Sequence, residues 1–124
     1  DPNDHAYFSE IYDLKVSSHL LIERDGSLVQ FVPFNKKAWH AGVSSFKGRE
    51  NCNEFSIGIE LEGTDDNKYT EDQYRALIDI TKELMLVFQD IKKENIVGHS
   101  DIAPGRKTDP GKAFDWHYYL SNLV

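Results

Sequence analysis

The run Gly98-His99-Ser100-Asp101-Ile102-Ala103-Pro104-Gly105-Arg106-Lys107-Thr108-Asp109-Pro110-Gly111 packs ionisable side chains between residues that interrupt regular structure. Proline lacks an N–H and glycine favours turns. The segment is therefore expected to be a loop, neither helix nor strand. Loops on rigid scaffolds are where catalytic groups tend to be held. His99 and Asp109 offer a nitrogen and an oxygen to a metal ion, and Lys107 offers a cation beside them. A second set of groups lies in Phe55 to Gly63, read as a strand. There Ile57, Ile59 and Leu61 point one way, and Ser56, Gly58, Glu60 and Glu62 the other. Gly58 leaves a gap that a ligand or another backbone can approach closely. That face is either simply solvated or the floor of a site.

Taken together, these types suit metal-assisted hydrolysis. Zn²⁺ held by three protein ligands keeps a fourth position for water and lowers its pKa to about 7. Glu60 could accept the water proton, and Lys107 could meet the developing oxyanion. Residues 33–54 form a long irregular segment, uncommon unless functional. Its Trp39 and His40 are candidates for one wall of a cleft.

Other chemistries have less behind them. A Ser–His–Asp triad stays open, but the chain has no Gly-x-Ser-x-Gly elbow, and Ser100 next to His99 is not one. Glu60 and Glu62 share a face, as a glycosidase pair might, yet paired acids are unremarkable in an acidic chain. Cys52 sits in a polar stretch with nothing to mark it as a nucleophile, and no glycine-rich phosphate loop is present. His5 and His117 read as surface or packing residues. His19 reads as a satisfied core histidine ahead of a ligand, and His40 fits substrate contact or packing equally.

The elements that must position these groups follow from periodicity. Tyr7, Phe8, Ile11 and Leu14 recur at helical spacing within residues 1–15. Val16–Glu23 and Leu28–Val32 flank Arg24-Asp25-Gly26-Ser27, a hairpin signal. Thr70 with Gln73 is a capping-box pattern. It opens a helix to about Phe88 whose apolar stripe is Tyr74, Leu77, Ile78, Thr81, Leu84, Met85 and Phe88. Asn95 to Gly98 reads as a short strand feeding the loop. Asp115 can cap a terminal helix with Trp116, Tyr119, Leu120 and Leu123 on one face. The order predicts a mixed α/β domain around a small sheet, without repeats or internal linkers.

At 124 residues the chain is expected to be one domain, 1–124, with 40% apolar residues to fill a core. No run of about 18 apolar residues suggests a membrane span. No basic-then-apolar leader is visible, which carries little weight because the chain starts at Asp1. Cys52 is the single cysteine, so no disulfide forms within the chain, in keeping with a reducing compartment. A net charge of −7 argues against nucleic acid and anionic membrane surfaces as partners.

Several segments resemble one enzyme family. They are Val16-Ser17-Ser18-His19-Leu20-Leu21-Ile22, Trp39-His40-Ala41-Gly42, Phe55 to Gly63, and Gly98 to Gly111. In order and along essentially the whole chain they are similar to the zinc-dependent N-acetylmuramoyl-L-alanine amidases. The likeness is to the AmpD type in particular, the cytosolic 1,6-anhydro-muropeptide amidases of peptidoglycan recycling. The resemblance implies an α/β fold with a central mixed β-sheet flanked by helices, shared with peptidoglycan-recognition proteins. It implies Zn²⁺ as cofactor, a muropeptide as substrate, a cytoplasmic location, and hydrolysis of the amide between the muramic acid lactyl group and L-alanine. It places metal ligands at His99 and Asp109, the catalytic glutamate at Glu60 and the catalytic lysine at Lys107. Substrate contacts fall to Lys15, Trp39, His40, Ala103 and Arg106.

Two departures from the family pattern stand out. The family's first zinc histidine lies on a strand upstream of the segment resembling residues 1–22, so the chain is expected to lack an N-terminal strand and that ligand. His19 is not expected to replace it. Asn51 stands where such amidases often carry a second arginine in a Gly-Arg-Glu-Arg-Cys-Asn pattern. A non-catalytic peptidoglycan-binding module of the same fold is the alternative, and a plain α/β interaction domain with a solvated polar loop a third reading.

Overall fold

The computed structural model describes residues 18–63 and 68–123. The expected helix within residues 1–15, His5, Lys15 and the start of the first strand lie outside them.

A three-stranded mixed sheet forms the centre. Strand β1 (Leu20–Ile22) pairs antiparallel with β2 (Leu28–Gln30), with Leu21 opposite Val29. On its other side β1 pairs parallel with β5 (Ile59–Leu61), with Leu21 opposite Glu60. The expected hairpin is present, turning at Gly26, where φ is 87°. Its strands are shorter than the β-rich runs suggested. Leu20, Leu21 and Ile22 are all buried, so β1 is covered on both faces and does not alternate.

The strand expected over Phe55–Gly63 reduces to β5. Ahead of it the chain is diverted by a 3₁₀ turn at Cys52–Glu54. The Gly58 N–H donates to a side chain, His19 Nδ1, and does not extend the ladder.

Helix α1 (Glu71–Val87) starts where expected. Thr70 Oγ1 accepts the Gln73 N–H at 3.1 Å, and Gln73 Oε1 accepts the Thr70 N–H at 3.0 Å. Leu77, Ile78, Thr81 and Leu84 are buried and Tyr74 and Met85 pack at the core margin, as the stripe requires. Helix α3 (Trp116–Ser121) is capped by the Asp115 carboxylate on the Tyr118 N–H. It delivers Tyr119, and Leu123 just beyond, into the cluster of Leu20, Ile22, Leu77, Ile78 and Phe114. Tyr119 and Thr81 satisfy each other's hydroxyls at 2.7 Å. No helix among the described residues is long and apolar enough to cross a membrane.

Three expectations are corrected. Asn95–Gly98 is not a strand: Lys93–Asn95 forms a 3₁₀ turn, and Ile96–Gly98 run on without a ladder partner among the described residues. The run Gly98–Gly111 is not wholly irregular. His99–Ile102 makes one helical turn, α2, because the Asp101 carboxylate accepts the Gly98 N–H at 2.8 Å and the interrupting residues begin only at Pro104. Residues 33–54 are not wholly irregular either. They contain a hairpin of β3 (Ser45–Phe46) and β4 (Arg49–Glu50). Its turn residues Lys47 and Gly48 have φ of 50° and 83°, the tight primed geometry that suits a two-residue connection.

Gln73 holds the layers together. Its side chain is 0% exposed. Its Nε2 donates to the carbonyls of Ile22 at 3.2 Å and Glu62 at 2.8 Å, at the end of the parallel pairing of β1 with β5. Truncation would remove this partner from the Glu62 carbonyl and the Thr70 N–H, while the Ile22 carbonyl keeps the Glu62 N–H, at about 1–3 kcal/mol for each unsatisfied buried group. Gln73→Ala is expected to lower unfolding free energy in urea by roughly 3 kcal/mol. A loss below about 1 kcal/mol would show that the amide is dispensable.

Candidate active site

The loop after α2 doubles back so that the Ser100 N–H donates to the Asp109 carbonyl at 3.0 Å. This one backbone bond closes the ten-residue interval and sets the His99 and Asp109 side chains together. His99 Nδ1 and Asp109 Oδ2 are 3.3 Å apart. On the opposite side of the ring, His99 Nε2 is 2.8 Å from the Ala41 carbonyl oxygen. A carbonyl only accepts, so Nε2 carries a proton and Nδ1 turns its other position to the carboxylate. A nitrogen lone pair facing a carboxylate oxygen calls for a cation between them, either a proton or a metal ion. The hydrogen bond between the pair pushes the His99 pKa up and holds the Asp109 carboxyl below its usual range. His99 and Asp109 thus fit a divalent ion as two of its ligands. Among the described residues no group of three His, Cys, Asp or Glu could hold one.

Glu60 projects from β5 toward this pair. Its pKa is raised, first by desolvation and then by the negative charge of Asp109, while His99 and Lys107 pull it down. All four ionisable groups named from the sequence therefore feel one another's charge. Ile59 and Leu61 on either side of Glu60 pack against the core, as the alternation required.

The gap at Gly58 has an occupant. A Cβ there would lie 2.4 Å from His40 Cγ and 2.5 Å from its Cδ2, so the imidazole of His40 rests directly on the glycine backbone. His40 Nε2 is 2.8 Å from Ser56 Oγ, which itself donates to the Cys52 carbonyl at 2.5 Å. Behind it His19 is 1% exposed. Its Nε2 donates to the Lys36 carbonyl at 2.6 Å, and its Nδ1 accepts the Gly58 N–H at 3.1 Å. Both ring nitrogens of His19 are consumed by backbone, the satisfied core histidine expected from the sequence. Trp39 is 55% exposed and carries the Lys37 ammonium 4.1 Å from its ring centroid.

Arg106 leans across the mouth of the loop. Its guanidinium donates to the Ala41 and Val43 carbonyls, at 2.5 and 2.8 Å from Nη2. Gly42 makes the approach possible, since a Cβ there would sit 2.9 Å from Nη2. A groove of about 410 Å³ opens here, lined by Val43, Asn51, Ile102, Ala103 and Arg106 among others. Of the expected substrate contacts, Arg106 shares the Ala41 carbonyl with His99, His40 feels the His99 charge, Ala103 lines the groove, Trp39 packs with Lys37, and Lys15 lies outside the described residues. His117 is exposed on α3.

A family model described as N-acetylmuramoyl-L-alanine amidase matches residues 1–112. The chain belongs to this amidase family. It is 61% identical over 116 residues to the 1,6-anhydro-N-acetylmuramyl-L-alanine amidase AmpD of Escherichia coli (strain K12), covering 94% of this chain and 63% of that protein. A crystal structure of an AmpD selenomethionine derivative superposes with a TM-score of 0.87 at 56% identity, over 100% of this chain and 69% of that one. The amidase AmiD from E. coli superposes with a TM-score of 0.87 at 34% identity, over 97% of this chain and 52% of that one. It was solved with the substrate anhydro-N-acetylmuramic acid-L-Ala-D-gamma-Glu-L-Lys. The amidase fold, a mixed sheet with helices, is therefore the architecture of this chain, which spans somewhat under two thirds of the Escherichia coli relative.

Sequence reasoning about the amidase site passed over Asn53. Asn53 Oδ1 accepts two successive backbone N–H groups, His40 at 3.0 Å and Ala41 at 2.7 Å. A side chain reaching backbone a dozen residues away has no periodic signature.

Burial holds the His40 pKa down to about 4, with the nearby His19 adding to the shift, and burial lowers His19 as well. In the folded chain these rings stay neutral where the unfolded chain protonates near 6.5. Their contribution is thus complete above pH 6.5 and is lost as pH falls toward 4. For His40 the loss is roughly 2–3 kcal/mol by pH 4.5. Urea unfolding at pH 7 and pH 4.5 is expected to show a steeper acid loss in the wild type than in His40→Gln. Equal losses would mean that His40 titrates normally in the fold.

Proposed function

We propose that this chain is a single amidase domain of a Zn²⁺-dependent enzyme. The reaction is hydrolysis of the amide between N-acetylmuramic acid, in its 1,6-anhydro form, and L-alanine of the peptidoglycan stem peptide. The observation that carries the proposal is the His99–Asp109 pair, two ligand atoms 3.3 Å apart with Glu60 in electrostatic reach of both. The substrate class comes from the names of the amidase relatives and from the muropeptide bound to AmiD. Cell-wall recycling in the cytoplasm fits a chain whose one cysteine is a buried free thiol.

His99 through Nδ1 and Asp109 through its carboxylate would hold the zinc ion, with a further ligand from outside the described residues. When bound, the ion supplies a Lewis acid and makes a neighbouring water acidic enough to deprotonate near neutral pH. Glu60, with its raised pKa, takes the proton as the water oxygen attacks the amide carbon. Lys107 stabilises the negative charge that moves onto the carbonyl oxygen. When the C–N bond breaks, Glu60 returns its proton to the departing L-alanine nitrogen, leaving a free muramic carboxylate and a free peptide. Trp39 and His40 form one wall for the substrate. Ala103, Arg106 and the groove beside them receive the stem peptide, with Lys15 as a further cationic contact.

The test uses zinc-loaded protein and anhydro-muramyl tripeptide, with products read by mass spectrometry and metal by elemental analysis. Glu60→Gln is expected to lower kcat by roughly 10³-fold with zinc content unchanged. Asp109→Ala is expected to lose the metal along with activity. Zinc loss in Glu60→Gln equal to that in Asp109→Ala would move Glu60 into the metal shell. Wild-type zinc protein that leaves the muropeptide intact would falsify the proposed reaction.

A further inference from the structure

We propose that Asn53 is a positioning residue for His99, acting through the backbone of residues 40 and 41 to fix which ring nitrogen faces Asp109. The proposal rests on the reading of His99 as a metal ligand given above. Asn53 follows the buried Cys52 in the 3₁₀ turn Cys52–Glu54. Its carboxamide oxygen accepts the N–H groups of His40 at 3.0 Å and Ala41 at 2.7 Å. Two N–H groups converging on one oxygen fix the 39–40 and 40–41 peptides and so place the Cα of Ala41. The carbonyl of Ala41, a residue 0% exposed, belongs to the next peptide and extends from that fixed Cα to His99. That carbonyl takes the Nε2–H of His99 at 2.8 Å. Arg106 Nη2 approaches the same oxygen and occupies its second lone pair.

The consequence lies on the other side of the ring. With the Nε2 proton committed to Ala41, the Nδ1 lone pair is left to face Asp109 Oδ2. A histidine ligand usually has its outer N–H anchored by a carbonyl or carboxylate, and loss of such an anchor typically lowers metal affinity 10- to 100-fold. Here the anchor is a main-chain carbonyl, which no substitution at position 41 removes. Control passes to the side chain that orients it. Asn53 has no other role apparent in the site. Its carboxamide oxygen bonds the His40 and Ala41 N–H groups.

Asn53→Ala and Asn53→Asp separate this role from general stability. A carboxylate oxygen at 53 still accepts both N–H groups, so Asn53→Asp is the rescue. Two readouts are taken: zinc affinity by chelator competition, and the tautomer of His99 by ¹⁵N NMR of histidine-labelled metal-free protein at a pH high enough that His99 is neutral, assigned against His99→Gln. Wild type is expected to show the Nε2–H form. Asn53→Ala is expected to show a mixture or the Nδ1–H form and zinc binding weakened 10- to 100-fold, with Asn53→Asp restored to within about threefold of wild type. An unaltered Nε2–H signal in folded Asn53→Ala would overturn the proposal, as would zinc affinity equal to wild type. If Asn53→Ala does not fold, Asn53→Asp decides: loss of its Nε2–H signal refutes the role. If wild type fails to take up zinc, the metal reading falls by itself, and the tautomer comparison still decides whether Asn53 controls His99.

Discussion

The parallel register of β1 against β5 is the constraint from which the site follows. Pairing Leu21 with Glu60 turns Glu60 off the core while Ile59 and Leu61 pack against it. A shift of one residue would exchange these sets and bury the carboxylate. The sheet has only three short strands, so its ladder bonds alone specify that register weakly. Gln73 adds specification at the end of the pairing, where its amide can bond the Ile22 and Glu62 carbonyls together only in the observed alignment. The same residue closes the capping box of α1, so helix start and strand register are set by one buried side chain.

Around that frame the site is held by polar bonds to backbone more than by apolar packing. His19 uses both ring nitrogens to tie residue 36 to residue 58. His40 lies on Gly58, two positions from Glu60, and cannot move inward without meeting main chain. Arg106 and His99 both reach the Ala41 carbonyl, so the ligand loop and the cleft wall share one oxygen. Each anchor is directional, which suits a site whose geometry must be kept within a fraction of an ångström.

What could be read beforehand was local. The alternation that singled out Glu60, the capping box of Thr70 and Gln73, the stripe of α1 and the Asp115 cap each depend on residues a few positions apart. The co-occurrence of His99, Lys107 and Asp109 was visible, though the helical turn that sets His99 was hidden behind the later prolines and glycines. The β3–β4 hairpin was missed because each strand is two residues long and its marker is a Lys-Gly pair, a weaker signal than Asn-Gly. The gap at Gly58 was correctly noticed, but its occupant is His40, placed there by long-range folding and invisible to periodicity. Asn53 escaped for the same reason. Family resemblance pointed to the right amidase fold where these local signals alone stopped at a mixed α/β domain.

The bonds that assemble the site join residues far apart in the chain. His99 and Ala41 are 58 positions apart, and Arg106 and Ala41 are 65. Contacts of that span close long loops, and the entropic cost of closing a loop grows slowly with its length. Parting residues 41–43 from the loop at 98–109 breaks bonds of His99 and Arg106 to carbonyls, and none of those that join β1, β5 and α1 through Gln73.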